Sequence, residues 1–154
     1  MLITIGTAAT DRGSYTPSGM TFIATENPAN ADGVITLVAL WVYLAIETPT
    51  IIIFEKVNGN TFTARSHQTV ANLAEGYREV EVSLEVKTGD YIGIFFWNGR
   101  LDRDLSGDGY WYLSEDQTEC ENVEFTFQDD RTLSLYGTGE EVVVGGRSFG
   151  FIIG

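Results

Sequence analysis

Four side chains in the stretch LDRDLSGDGYWYL, residues 101–113, have the types and spacing to hold a metal ion. Asp102, Asp104, Ser106 and Asp108 put oxygen at every second position. Calcium loops supply carboxylate, carbonyl and water oxygens in this alternating order. Gly107 stands where such loops turn sharply, and Asp108 where a backbone carbonyl usually serves. The position that calls for a bidentate Glu is Leu113, and Glu115 is out of place. Two readings follow. One is a calcium site finished by a residue from elsewhere in the chain. The other is a strand-to-strand turn whose Asp and Ser side chains bond their own backbone. The missing ligand favours the turn, with weak calcium affinity at most. No other cofactor is expected.

Catalytic chemistry finds less to work with. The single histidine, His67, follows Ser66 on a predicted strand. Neighbours on a strand point to opposite faces, so the two cannot act as nucleophile and base. Cys120 lies between Glu119 and Glu121, whose charges oppose a thiolate. Glu79, Glu81 and Glu85 share one face of a predicted strand, which solvent exposure explains better than a paired-acid hydrolase does. The chain is therefore read as a non-enzyme. A binding role is open to the aromatics. Phe95, Phe96, Trp97, Tyr110, Trp111 and Tyr112 fall on two strands flanking the acidic loop. Of these, Trp97, Tyr110 and Trp111 are the candidates for a sugar-binding face, with core packing or a subunit interface as the competing explanation.

Strands must position all of these. Helical periodicity is almost absent, and short apolar runs recur between Gly, Asn and Asp. LITI (2–5), MTFIAT (20–25), VITLVALWVYLAI (34–46) and TIIIFEKV (50–57) come first. The 34–46 run is apolar enough to be expected at the centre of the fold, covered on both faces. NGN (58–60) joins TIIIFEKV to TFTARSHQTV as a hairpin. YREVEVSLEV (77–86) alternates cleanly, with Val80, Val82, Leu84 and Val86 on the buried side. KTGD (87–90) turns into YIGIFFW (91–97), and GYWYL, NVEFTF and TLSLYG complete the set. About ten short strands without crossover helices predict an all-β fold: one antiparallel β-sandwich, jelly-roll-like. The domain is expected to span 1–139. Residues 140–154 form an apolar tail, in which Phe149, Phe151, Ile152 and Ile153 could dock on a neighbouring subunit or on their own sheet.

Bulk properties narrow the partners. The chain has 154 residues, one cysteine and a net charge of −13, from nine Lys and Arg against 22 Asp and Glu. One domain of this size buries enough surface to fold without disulfides. The acidity disfavours nucleic acid and anionic membranes as partners. VALWVYLAI (38–46) is too short to span a bilayer by helix, so no membrane insertion is expected. MLITIGTAATDRGS lacks the basic start and long apolar run of a signal peptide, so synthesis and folding in the cytoplasm are expected.

NPANADGVITLVALWV, GDYIGIFF, RDLSGDGYWY and SLYGTGE, taken together over residues 3–139, resemble a small jelly-roll-like β-sandwich module of phage and environmental viral structural proteins. The resemblance rests on structural turns and carries no functional residue with it. It implies a virion structural protein, such as a capsid decoration or tail-associated module. The expected partners are copies of itself or other virion proteins, and the expected location is the virion, after synthesis in a host cytoplasm. The alternative is a carbohydrate-binding module, calcium-assisted or not, that engages a surface glycan.

Overall fold

The computed structural model describes residues 1–142, and these contain strands but no helix. In chain order the strands are β1 (Leu2–Thr7), β2 (Ser14–Tyr15), β3 (Met20–Ala24), β4 (Gly33–Leu44), β5 (Thr50–Asn58), β6 (Thr61–Thr69) and β7 (Gly76–Val86). There follow β8 (Tyr91–Phe96), β9 (Arg100–Asp104), β10 (Tyr110–Ser114), β11 (Val123–Glu124), β12 (Thr126–Gln128), β13 (Thr132–Leu133) and β14 (Leu135–Glu141). Every pairing between them is antiparallel. One seven-stranded sheet runs β1-β14-β4-β9-β13, with β7 also on β4 and β2 also on β9. The other runs β11-β6-β5-β8-β3-β10-β12.

The main core lies between the two sheets. The first contributes Ile3, Ile5, Ile35, Val38, Leu40, Leu84, Leu101 and Leu135; the second contributes Phe22, Ile51, Ile53, Ile92, Ile94 and Phe96. A second cluster of Ile23, Ile52, Phe54, Phe62, Phe95, Trp111, Cys120 and Phe125 covers the opposite face of the second sheet. The strand buried on both faces is therefore β5, where Ile51 and Ile53 point one way and Ile52 and Phe54 the other. The expectation that 34–46 is covered on both sides needs correcting. Val38, Leu40 and Val42 of β4 face the core, whereas Trp41 is half-buried and Tyr43 and Leu44 are exposed.

β7 alternates as its sequence requires, with Val82, Leu84 and Val86 buried between exposed Glu81, Ser83 and Glu85. The hairpin at Asn58–Thr61 also forms, with Gly59 at φ +47° supplying the left-handed turn residue. Two boundaries differ from expectation. Residues 100–104, read as part of a loop, are β9, because Leu101 enters the core while polar neighbours alternate with it. β14 continues to Glu141, so the boundary expected after Gly139 falls inside a strand: Glu140 pairs with Leu2 and Val34, and Glu141 with Gly33. Phe149, Phe151, Ile152 and Ile153 lie outside the described residues.

Candidate functional site

The four oxygens of the acidic stretch are divided between a strand and a turn. Asp102 and Asp104 belong to β9; Ser106 and Asp108 follow it in the exposed loop. Arg12 occupies the two strand carboxylates. Its backbone N–H donates to Asp102 Oδ2 at 2.8 Å, and its NH1 donates to Asp104 Oδ2 at 2.8 Å. The same guanidinium donates from Nε to Ser134 Oγ at 2.8 Å and from NH2 to the Ala8 carbonyl at 2.7 Å. Arg12 thus latches the 8–13 loop across the junction of β9, β13 and β14. In the turn, the Ser106 carbonyl accepts from Thr132 Oγ1 at 2.7 Å, and the Asp108 N–H donates to Glu26 Oε2 at 3.2 Å. Among the described residues no group of three or more His, Cys, Asp or Glu side chains converges as a metal site would require. A calcium ion on this stretch would have to displace Arg12 from both carboxylates.

Asp102 is 1% exposed, and its Oδ1 has no hydrogen-bond partner among the described residues. Burial raises its pKa above the ordinary 3.8; Asp11 pushes the same way, while the N–H groups of Arg12 and Gly13 pull against it. A carboxyl that holds its proton more tightly when folded contributes stability below pH 3.8 and loses it as pH rises through the folded pKa. Asp102→Asn should therefore unfold at a higher urea concentration than the wild type at pH 7, with the gain vanishing near pH 3. Parallel urea midpoints for the two proteins across that range would show that Asp102 does not titrate on folding.

The three aromatic candidates are not brought to one face. Tyr110 points into the core between the sheets, 5.2 Å from the Phe22 ring. Trp111, next on the strand, points the opposite way into the second cluster, 4.7 Å from Phe62, with its indole N–H on Asn60 Oδ1 at 2.8 Å. Trp97 is 61% exposed beyond the end of β8 and rests edge-on against Phe95 at 4.8 Å. Strand alternation separates Tyr110 from Trp111.

Four other aromatics, Tyr15, Trp41, Tyr43 and Tyr77, instead gather on the outer face of the first sheet. Val38, Leu40 and Val42 face the core, so Trp41 and Tyr43 face outward. Trp41 is registered with Tyr77 of β7, their rings 6.4 Å apart. Tyr15 of β2 stacks on Tyr43 at 4.5 Å, and the Arg100 guanidinium lies 4.9 Å from the Tyr15 ring centre. The Tyr77 hydroxyl donates to Glu79 Oε2 at 2.7 Å, which raises its pKa. Tyr15, Tyr43 and Tyr77 are each more than two-fifths exposed. The signal for this face was present in the sequence. W-V-Y at 41–43 places both rings on one side, and Tyr77 shares parity with Glu79 and Glu81.

The groups set aside as catalysts have other engagements. Ser66 Oγ donates to the Glu85 carbonyl at 2.8 Å, whereas exposed His67 places Nε2 3.9 Å from Glu119. The Cys120 thiol is buried, and it is burial that raises its pKa rather than the two neighbouring glutamates. No family model matches this chain, and no curated protein matches it.

Proposed function

We propose that the chain is a non-enzymatic structural protein of a virus particle, a capsid decoration or tail-associated module. In this reading its two sheets make a jelly-roll-like β-sandwich that assembles with copies of itself through the aromatic face of Tyr15, Trp41, Tyr43 and Tyr77. That face carries the proposal. Tyr and Trp are enriched in protein interfaces together with Arg, and here Arg100 adjoins them. Exposed aromatic groups gathered on one side, with Tyr15, Tyr43 and Tyr77 each more than two-fifths exposed, are what an unpaired subunit presents. Such a protein would be made in a host cytoplasm and would work in the virion.

The alternative, a carbohydrate-binding module for a surface glycan, draws on the same face. Exposed rings, one of them the Tyr77 ring bonded to the Glu79 carboxylate, suit a sugar ring as well as a protein. Light scattering over a concentration series separates the readings. The intact chain should be oligomeric, and Tyr43→Ser with Tyr77→Ser should shift it toward monomer while leaving it folded. A chain that is monomeric throughout, and whose retention on immobilised polysaccharide is lost in the double variant, would overturn assembly in favour of glycan binding.

A further inference from the structure

A second site lies away from the aromatic face, at the mouth between the two sheets. It is a cavity of about 230 Å³ floored by Phe22 and Tyr110 and walled by Tyr112, Gln128, Arg103 and Arg131. Acidic residues outnumber basic ones 22 to nine in this chain, yet among the described residues two arginines line this cavity and no carboxylate does. The other described arginines are committed elsewhere. Arg12 and Arg65 bind carboxylates, and Arg78 and Arg100 bind backbone carbonyls. Arg103 and Arg131 line the cavity with a single side-chain hydrogen bond each among the described residues. Arg103 uses NH1 on the Tyr110 hydroxyl, and Arg131 uses NH1 on the Asp130 carbonyl at 2.9 Å. A planar guanidinium satisfies its donors best on a carboxylate, which accepts two parallel bonds.

We propose that this cavity binds the carboxylate and ring of a single sugar acid, a uronic or nonulosonic acid at the end or side of an acidic glycan. Two arginines set the charge of the ligand. The walls set its shape: the half-buried Tyr112 ring offers apolar surface, and Gln128 and the Tyr112 phenol offer bonds to ring hydroxyls. The volume sets its size, since it falls below the roughly 300–1,000 Å³ of sites for drug-sized ligands and has room for one ring. The repulsion expected from a net charge of −13 is screened beyond about 8–10 Å at physiological salt.

The test is a titration of the full ¹⁵N-labelled chain with glucuronate, N-acetylneuraminate, glucose and inorganic phosphate. One of the two acids should give saturable shifts confined to the neighbourhood of Tyr110, Tyr112 and Gln128, with a Kd on the order of 1 mM, as for a single weakly held ring. Glucose should give none. Arg131→Gln at the rim should weaken the acid at least tenfold, and Arg131→Lys should not restore it, because an ammonium lacks the fork. Arg103→Gln disturbs Tyr110 as well, so Arg131 is the deciding variant. Glucose binding as well as the acids do, phosphate binding as tightly at the same resonances, or an acid indifferent to Arg131→Gln would each overturn the assignment. Absence of saturable shifts with either acid would overturn it too.

Discussion

Asp90→Ala is expected to cost about 3–5 kcal/mol of folding stability, because it leaves a guanidinium unpaired that is already largely out of water. Asp90 is 2% exposed and sits in the turn between β7 and β8. Its carboxylate accepts from Arg65 Nε at 2.5 Å and NH2 at 3.1 Å, and from the Lys87 N–H at 2.9 Å. The Arg65 side chain is 17% exposed, and its other partner, Glu55, stands 3.8 Å off and half in solvent. Removing Asp90 therefore strands three donors and leaves only a weak surface ion pair to replace them. Glu55→Gln is the control, and it should cost less than about 1 kcal/mol. Asp90→Asn should fall between, since it keeps an acceptor and loses the charge. At about 2–4 °C per kcal/mol for a chain near this length, the alanine variant should melt some 6–20 °C early. If it unfolds no sooner than Glu55→Gln, the pair is not desolvated and the turn is held by its backbone bonds alone.

The Lys-Thr-Gly-Asp turn itself was legible at residues 87–90, as were the alternation of β7 and the Asn-Gly hairpin after β5. Each is a local pattern, set by residues within a few positions of one another. What the aspartates do was not legible, because their partners are remote in sequence. Arg65 precedes Asp90 by 25 residues, and Arg12 precedes Asp104 by 92. Read alone, the alternating oxygens at 102–108 look like ligands. Placed on a strand beneath the 8–13 loop, the first two become acceptors for Arg12. β9 escaped notice for the same reason: Leu101 is the only apolar residue in Arg100–Asp104, and pairing with β4, β2 and β13 makes it a strand. The aromatic run at 110–112 was legible as strand, but which ring would be core depended on the segment around Cys120 and Phe125 covering the second sheet. The two cavity arginines carry no sequence signal, since Arg103 and Arg131 each stand beside aspartates that engage other groups or solvent.

The glycines of Tyr136–Glu140 looked like a place where the domain ends, and they are instead where two strands come closest. Gly139 of β14 lies between Ile3 of β1 and Ile35 of β4, at a bulge in the β14–β4 ladder. A Cβ there would stand 1.9 Å from the Val34 carbonyl oxygen and 2.7 Å from Ile35 Cα. Both are backbone atoms in a paired strand, so no side-chain rotation relieves the clash. Two residues earlier, the atoms nearest to a Cβ on Gly137 are side-chain methyls, Ile5 Cγ2, Ile35 Cγ2 and Ile92 Cδ1, at 2.9, 3.2 and 3.3 Å. Gly139→Ala should therefore cost about 3 kcal/mol or more, at or past the top of the usual range for overpacking. Gly137→Ala should cost about 1 kcal/mol, because small side-chain shifts absorb it and alanine restricts the unfolded chain. Urea titration of the two variants gives the ranking. Hydrogen exchange gives the location: β1 is held by β14, so the amides of Ile3 and Ile5 should lose protection in Gly139→Ala before those of β5 and β8 do. Equal losses in the two variants would mean that β4 and β14 can part at the bulge without harm. In that event Gly139 would mark the end of the folded sheet after all, and the pairings of Glu140 and Glu141 would add nothing to its stability.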